Sequence, residues 1–511
     1  MPAHRSLVLG AATNWAAFAA TLAVSFFLAP YLIHALGDAR YGVWCVVESI
    51  LAYFTLFDLG IAACLVRFVA RFHAVEQREE LNRLVSCCLV IFSIAAACVL
   101  VLGSALTPLV APGLEFRLGE QGDIAPFMLL MLANLAVTLP LSVFPTILDG
   151  LQRFGVKSLV RLVFLGLRVG GIVFAMESRP GLWSLAIVFT LTNLLEHLAM
   201  AVLAVRFLPG LRLSHRLVDR ATLRQVRGYS VDAFLAMLAG RITVQTGAIV
   251  VGGFLTVAAA AHYAIAARLV DLAKNLLRSI TTTLTPAVSE REARGDFDGV
   301  RRMLLDGTRC VLYLVLPVHL GLLFFGKPFL SRWIGGQQYA EWCFPAVAIL
   351  SATLTIGVAQ SVASRILYGM GKLRLFARLA LVEAMVNLLL CLTLVGAMGV
   401  EGVALGVAIP NVLFCLFVIG YACRVLEVSP GRYLARAWAR PLVLSGVPLG
   451  IWWFTTPVDA DWLRIGLGIL GGLIPYAASV LGLEVMPGVA IVSRLLSRKA
   501  GPRSLPEVHR A

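Results

Sequence analysis

The chain has 511 residues, of which 59% are hydrophobic and 14% charged, with a formal net charge of +15 and a mean hydropathy of +0.88. Soluble domains are about half apolar and a quarter charged, so this composition excludes an ordinary soluble protein and makes lipid the solvent. In a soluble chain the basic excess would suggest nucleic acid; here Lys and Arg sit between apolar runs, where they orient helices, and no nucleic-acid partner is expected.

A helix needs about twenty apolar residues to cross about 30 Å of hydrocarbon. Such runs occur near residues 8–34, 41–68, 84–108, 124–150, 158–177, 182–207, 229–252, 256–286, 304–325, 343–370, 373–396, 400–424, 441–457 and 462–484. They predict an all-α polytopic membrane protein with about 14 transmembrane helices. The first run is too long for a cleaved signal peptide and reads as a first span. The 10 cysteines show no Cys-x-x-Cys or Cys/His ligand spacing, so they predict neither a metal site nor disulfides and read as small buried hydrophobes.

Cationic loops resist translocation. One alternate set of connections carries Arg67, Arg71, Arg78 and Arg83, then Arg153 and Lys157, Arg206 to Arg227, Arg291 to Arg302, Lys372 to Arg378, and Arg424 to Arg440, with Arg494 to Arg510 in the tail. The other set holds only Arg40, Arg117, Arg179, Lys327, Arg332 and Arg464. The bias alternates without inversion and predicts both termini in the cytoplasm of a cell whose inner membrane the chain spans.

Transporters are often built from repeats. Ile147-Leu148-Asp149-Gly150 matches Ile366-Leu367-Tyr368-Gly369 at an offset of about 219 residues, and Asn193-Leu194-Leu195 and Tyr41-Gly42-Val43 find partners at similar offsets. The expected organisation is a six-helix lobe over 1–208, a basic linker over 209–228, a pseudo-symmetric six-helix lobe over 229–426, two further helices over 427–485, and a basic tail over 486–511.

Charges inside a bilayer are costly and normally face a wet cavity or a partner. Span eight carries Arg268, Asp271, Asn275 and Arg278 at steps of three and four, on one helical face, with Lys274 beside them. Span seven carries Arg241 near its middle and Gln245 one turn on. Spans one and two, their counterparts in the repeat, carry Asn14, Thr21 and Ser25, and Glu48, Thr55 and Asp58. Arg241, Arg268, Lys274 and Arg278 are the candidate cargo-binding residues; Asn14, Glu48, Asp58, Asp271 and Gln245 are candidate coupling or cavity groups. Lys274, Arg278 and Arg309 also fit simple snorkelling, Asp271 fits a structural counter-charge, and Glu196-His197 fits helix–helix adhesion. Converging cations suit phosphate or pyrophosphate.

Phe27-Leu28-Ala29-Pro30, Leu36-Gly37-Asp38-Ala39-Arg40-Tyr41-Gly42 and Phe57-Asp58-Leu59-Gly60-Ile61 resemble the opening of Wzx-type polysaccharide flippases. Tyr263-Ala264-Ile265-Ala266-Ala267-Arg268-Leu269, Thr285-Pro286-Ala287-Val288-Ser289 with Gly295-Asp296, and Leu330 to Gly335 with Tyr339 are similar to later parts of that family. The resemblance implies the multidrug/oligosaccharidyl-lipid/polysaccharide exporter superfamily, two rocking six-helix lobes, and a cationic cavity to which Arg241 and Arg268 would belong. It also implies that the last two helices could form a groove for a polyprenyl tail.

The expected function is translocation of a polyprenyl-pyrophosphate-linked oligosaccharide by alternating access, without catalysis, metal or cofactor. The expected partners are the anionic lipid-linked sugar, membrane lipid, and a polysaccharide polymerase or glycosyltransferases. A cation-coupled drug antiporter would call for a carboxylate-lined cavity. A membrane glycosyltransferase or polymerase would call for a large loop with an acid/base constellation or a Gly-rich phosphate loop.

Overall fold

In hydrocarbon an apolar run satisfies its own backbone only as a helix or within a closed barrel. The computed structural model is helical, with no strand among the residues it describes, 2–118, 124–214, 217–282, 284–372, 374–455 and 461–485. The helices are α1 (Pro2–Leu36), α2 (Asp38–Phe54), α3 (Ile61–Ala74), α4 (Arg78–Leu118), α5 (Ile124–Leu141), α6 (Val143–Gly150), α7 (Phe154–Ser178), α8 (Leu182–Phe207) and α9 (Arg220–Phe254). They continue as α10 (Val257–Thr281), α11 (Leu284–Ala293), α12 (Phe297–Leu330), α13 (Gln337–Gly369), α14 (Arg374–Val425), α15 (Pro430–Tyr433), α16 (Ala439–Thr455) and α17 (Trp462–Val480).

Among the described residues, 11 helical segments are long and apolar enough to cross a membrane. The expected fourteen are reached when α14, 52 residues long, is divided at Gly399, where the backbone leaves the helix at φ 59°, and when α10 and the 17-residue α16 are added. The charges of α10 lower its hydropathy without shortening it.

Span two differs from the single helix expected over 41–68. Leu59 (φ 51°) and Gly60 (φ 74°) are both left-handed and end it, so α2 passes through the tight turn Thr55–Asp58 into a separate α3. The Asp58 carboxylate accepts the Ala62 N–H at 3.2 Å, as a helix N-terminus favours. Two further differences are smaller. The stretch 209–228 is not all linker, because α9 begins at Arg220. Eight cysteines are buried as expected, but Cys98 and Cys310 face outward. The tail 486–511 lies outside the described residues.

The chain forms two compact units, one of residues 1–272, 333–353 and 371–418, the other of 273–332, 354–370 and 419–511. In the first, Leu65, Val85, Phe92, Leu132 and Ile147 lead a core joining α3, α4, α5, α6 and α8. Polar bonds add to it, as expected where lipid removes most of the hydrophobic drive between helices. Arg168 of α7 donates to Glu196 at 3.2 Å and Thr192 at 3.1 Å on α8, and Asn193 donates to Asn134 of α5 at 3.2 Å. Glu196 is thus adhesion between helices, and His197 bonds its own helix at the Asn193 carbonyl. In the second unit α16 and α17 pack on α12 around Trp452, Phe325 and Ile465. The Trp452 indole donates to the Gly468 carbonyl at 2.9 Å, and the Tyr476 hydroxyl to that of Tyr313 at 2.8 Å.

The repeat is written in the backbone. A Cβ on Gly150 would meet Val69 at 2.6 Å and the Val66 carbonyl oxygen at 3.1 Å; on Gly369 it would meet Val288 at 2.8 Å and the Thr285 oxygen at 3.0 Å. The left-handed residues Glu76 and Gln152 likewise recur as Gly295 and Gly371. Every one of these pairs keeps the offset of about 219, so the same helix-to-helix approach and the same turns are built twice.

Among the described glycines of the first unit, Gly42 of α2 has the least room, against the start of α10. A Cβ at Gly42 would lie 1.7 Å from the Val257 carbonyl oxygen. Gly42→Ala is therefore expected to force the helices apart, at a cost of about 1–3 kcal/mol, and to lower the Tm in detergent by several degrees. Gly170→Ala, which meets nothing within 4 Å, should leave the Tm unchanged or raise it. An unchanged Tm for the Gly42 variant would refute the contact.

Candidate functional site: an arginine at mid-membrane

Gly37, at φ 78°, turns the chain between α1 and α2, and Asp38 opens α2. From Tyr41 to Ser49 every residue of α2 is buried except Glu48, which is exposed. A lipid-facing side would expose residues three and four apart; a single gap means that Glu48 looks into a narrow accessible space.

Arg268 of α10 reaches that gap. Its guanidinium donates to the Tyr41 hydroxyl at 3.2 Å and to the Glu48 carboxylate at 3.5 Å. The Arg268 and Glu48 side chains are 36% and 47% exposed, whereas Tyr41 is buried at 1%. At about 1.5 Å per residue, Glu48 lies about 15 Å from the start of α2 and Arg268 about 17 Å from the start of α10. Those starts lie at the same end of the unit. A hydrocarbon layer about 30 Å thick that began there would have the pair near its middle.

Arg241 is half-buried on α9, about 20 Å from the Phe254 end of that helix, and has no ion-pair partner among the described residues. Gln245 is half-buried one turn on, and α9 is tied to α2 by the Tyr53 hydroxyl against Thr246 at 2.8 Å. Asp271 is half-buried on α10. The partner that the structure gives Arg268 is Glu48, on a helix distant in sequence. Lys274 and Arg278 belong to the second unit and are also half-buried. There the Arg278 Nε is buried without a hydrogen-bond acceptor among the described residues, and its Nη2 lies against Gly357, 3.2 Å from where a Cβ would stand. Asp58 caps α3, and the side chain of Asn14 lies outside those described. Of the expected constellation, then, the structure brings Arg268 and Glu48 together and adds Tyr41.

Two clusters went unread in the sequence. At the end of α2, the Asp38 carboxylate accepts the Tyr339 hydroxyl and the His262 Nε2, the latter at 3.2 Å. The His262 ring stacks on Trp342 at 4.7 Å and meets Tyr339 edge-on at 5.8 Å. Beside this clasp the Arg117 guanidinium caps α9 at the carbonyls of Gly253 and Leu255. Asp38 and Tyr339 stand in stretches quoted above for their resemblance, but His262 carried no sequence signal. The second cluster is Glu383 of α14, 7% exposed, which accepts from Thr243 of α9 at 2.7 Å and from Asn411 at 3.4 Å. Glu383 is legible in the sequence as an acid within a predicted span, but its partners Thr243 and Asn411 are not.

An apolar cavity of about 310 Å³ lies in the same unit, lined by Ile50, Tyr53, Phe54, Phe57, Leu106 and Ile249. Among the described residues no group of three or more His, Cys, Asp or Glu is placed to hold a metal ion. Chemically, Arg268 can bind one anion at a time on its open side while Tyr41 holds the other.

A family model described as Lipid II flippase MurJ matches residues 61–467. Among curated proteins, the probable low-salt glycan biosynthesis flippase Agl15 of Haloferax volcanii is 20% identical over 261 residues. That match covers 50% of this chain and spans about half of the relative, 54%. Among solved structures, a lipid II flippase MurJ in an inward closed conformation is similar with a TM-score of 0.71 and 16% identity, over 93% of this chain and 99% of that one. An inward-facing multidrug resistance MATE family transporter of the MOP superfamily gives 0.65 and 13%, over 83% and 98%. These likenesses in structure concern the fold.

Proposed function

We propose a transport function for this chain, which belongs to the lipid II flippase MurJ family, a family of multi-pass membrane transporters rather than of catalysts. The cargo is a polyprenyl-pyrophosphate-linked oligosaccharide, carried across a bacterial cytoplasmic membrane with both termini inside, in the service of polysaccharide polymerases and glycosyltransferases. The observation that carries this reading is Arg268, a guanidinium at mid-membrane that is fixed on one side by Tyr41 and accessible on the other. A permanent cation in that position is costly unless an anion visits it. Arg241 is the second cation assigned to the headgroup, with Lys274 and Arg278 following on the inner side.

Transport proceeds by alternating access, the lobes 1–208 and 229–426 rocking about the headgroup site while α16 and α17 guide the isoprenoid tail. Glu48, Asp271 and Gln245 are the polar groups assigned to the path. An antiporter for cationic drugs shares the scaffold but would find Arg268 and Arg241 repulsive.

Purified protein in liposomes is expected to move a fluorescent lipid-linked oligosaccharide between leaflets without altering its mass. A change in mass would indicate an enzyme, and an unmoved lipid beside a transported organic cation would indicate the antiporter.

A further inference from the structure

We infer that Glu48 is a displaceable counter-ion, which holds the anion position of Arg268 in the empty carrier and yields it only to a phosphate-bearing headgroup. The inference rests on the reading of Arg268 as a headgroup residue and adds to it the device by which cargo is selected.

Among the described residues two Arg–Glu pairs lie within predicted spans, and they are built differently. Arg168 is held by Glu196 at 3.2 Å, by Thr192 at 3.1 Å and by the face of Phe189 at 5.0 Å, with side chains only 21% and 16% exposed. That guanidinium is engaged at Nε, at Nη2 and on one face, as a structural pair requires. Arg268 has one contact that cannot move, to the buried Tyr41, and one at the 3.5 Å limit of a hydrogen bond, to a carboxylate that is 47% exposed. Glu48 is also the one residue of Tyr41–Ser49 that the surrounding helices leave accessible. One guanidinium edge is anchored and the other is exchangeable.

The exchange follows from charge. Leaving Arg268 unpaired near the bilayer centre is costly, so a resident anion beside it favours the empty carrier. A phosphate or pyrophosphate offers more charge and several acceptor oxygens on the same guanidinium edge, so it can displace one carboxylate. A neutral glycolipid offers no replacement anion, and a cationic one would be drawn to Glu48 while Arg268 repels it. Once the headgroup leaves, Glu48 closes on Arg268 again. Glu48 thus weakens every ligand that needs this edge of Arg268 by the same factor: apparent affinity is the intrinsic affinity multiplied by the fraction of carriers in which Arg268 is open.

The test uses the full-length protein in detergent with farnesyl pyrophosphate as the probe. If Arg268 is closed about nine-tenths of the time, Glu48→Gln and Glu48→Ala each bind the probe about tenfold more tightly than the unchanged protein. Arg268→Ala binds it at least about tenfold more weakly. Equal or weaker binding by both Glu48 variants, beside weakened binding by Arg268→Ala, overturns the counter-ion role and leaves the headgroup reading standing. Unchanged binding by Arg268→Ala removes the headgroup reading itself. A measurement on the unchanged protein covers the case in which the Glu48 variants do not fold: carbodiimide modification of Glu48, followed by mass spectrometry. Adding the probe is expected to raise it, because the carboxylate is released; a fall or no change overturns the proposal.

Discussion

Arg268→Ala is expected to lower transport of a lipid-linked oligosaccharide in liposomes by about two to three orders of magnitude, with the protein still inserted and monodisperse. Truncating one partner of a desolvated charge interaction costs about 2–5 kcal/mol, and each 1.4 kcal/mol is a factor of ten. Part of that cost is the carboxylate left behind, since Glu48 would lose the cation that faces it at mid-membrane. The double variant Arg268→Ala/Glu48→Gln separates the terms: it should recover stability while transport stays lost. Arg268→Lys keeps the charge but cannot reach Tyr41 and an anion together with one ammonium, so it should retain only a small part of the rate. Arg241→Ala should act in the same direction, because no resident carboxylate screens Arg241 among the described residues. Normal transport by both alanine variants would leave the anionic cargo without a binding group in this protein.

What the sequence discloses and what it conceals divide along the range of the interaction. Span number and fold class follow from local runs of apolar residues, because a bilayer of fixed thickness demands them. The offset of about 219 was visible at Gly150 and Gly369 because only glycine tolerates the approach of α3 or α11 that both positions make. The break after Asp58 was concealed, since Gly60 inside an apolar run is ordinary in a membrane helix and does not announce two left-handed residues. The partner of Arg268 was concealed for another reason. Asp271, three residues on, fits the helical period, whereas Glu48 is 220 residues away and is joined to it only by folding. Depth could be read from the sequence; which acid faces which base could not.

Asp38→Ala is expected to open the end of the bundle at which α2, α10 and α13 meet, and Cys343 reports it from within. Asp38 is the common acceptor for the Tyr339 hydroxyl and the His262 ring, so its loss leaves both donors without their carboxylate in a half-buried site. Hydrogen bonds to a charged group are worth about 1.5–3 kcal/mol each, and a shift from 1:99 to 99:1 requires about 5.5 kcal/mol. Removing both therefore moves a closed end a large part of the way to open. Cys343 is 0% exposed and follows Tyr339 by one helical turn on α13, so it becomes reachable only when the clasp parts. With the other cysteines replaced by serine, a membrane-impermeant maleimide added to the outside of intact cells should label Cys343 at least about tenfold faster in the Asp38→Ala protein. Asp38→Asn, which keeps an acceptor oxygen but not the charge, should fall between, and Tyr339→Phe, which removes one bond of the two, should shift labelling less. The Gly253 and Leu255 carbonyls stay capped by Arg117 in all three, so α9 should hold its end while α2 and α10 separate. Labelling that stays at the unchanged protein's rate in Asp38→Ala would show that the contacts of Trp342 and Arg117 close this end without the carboxylate.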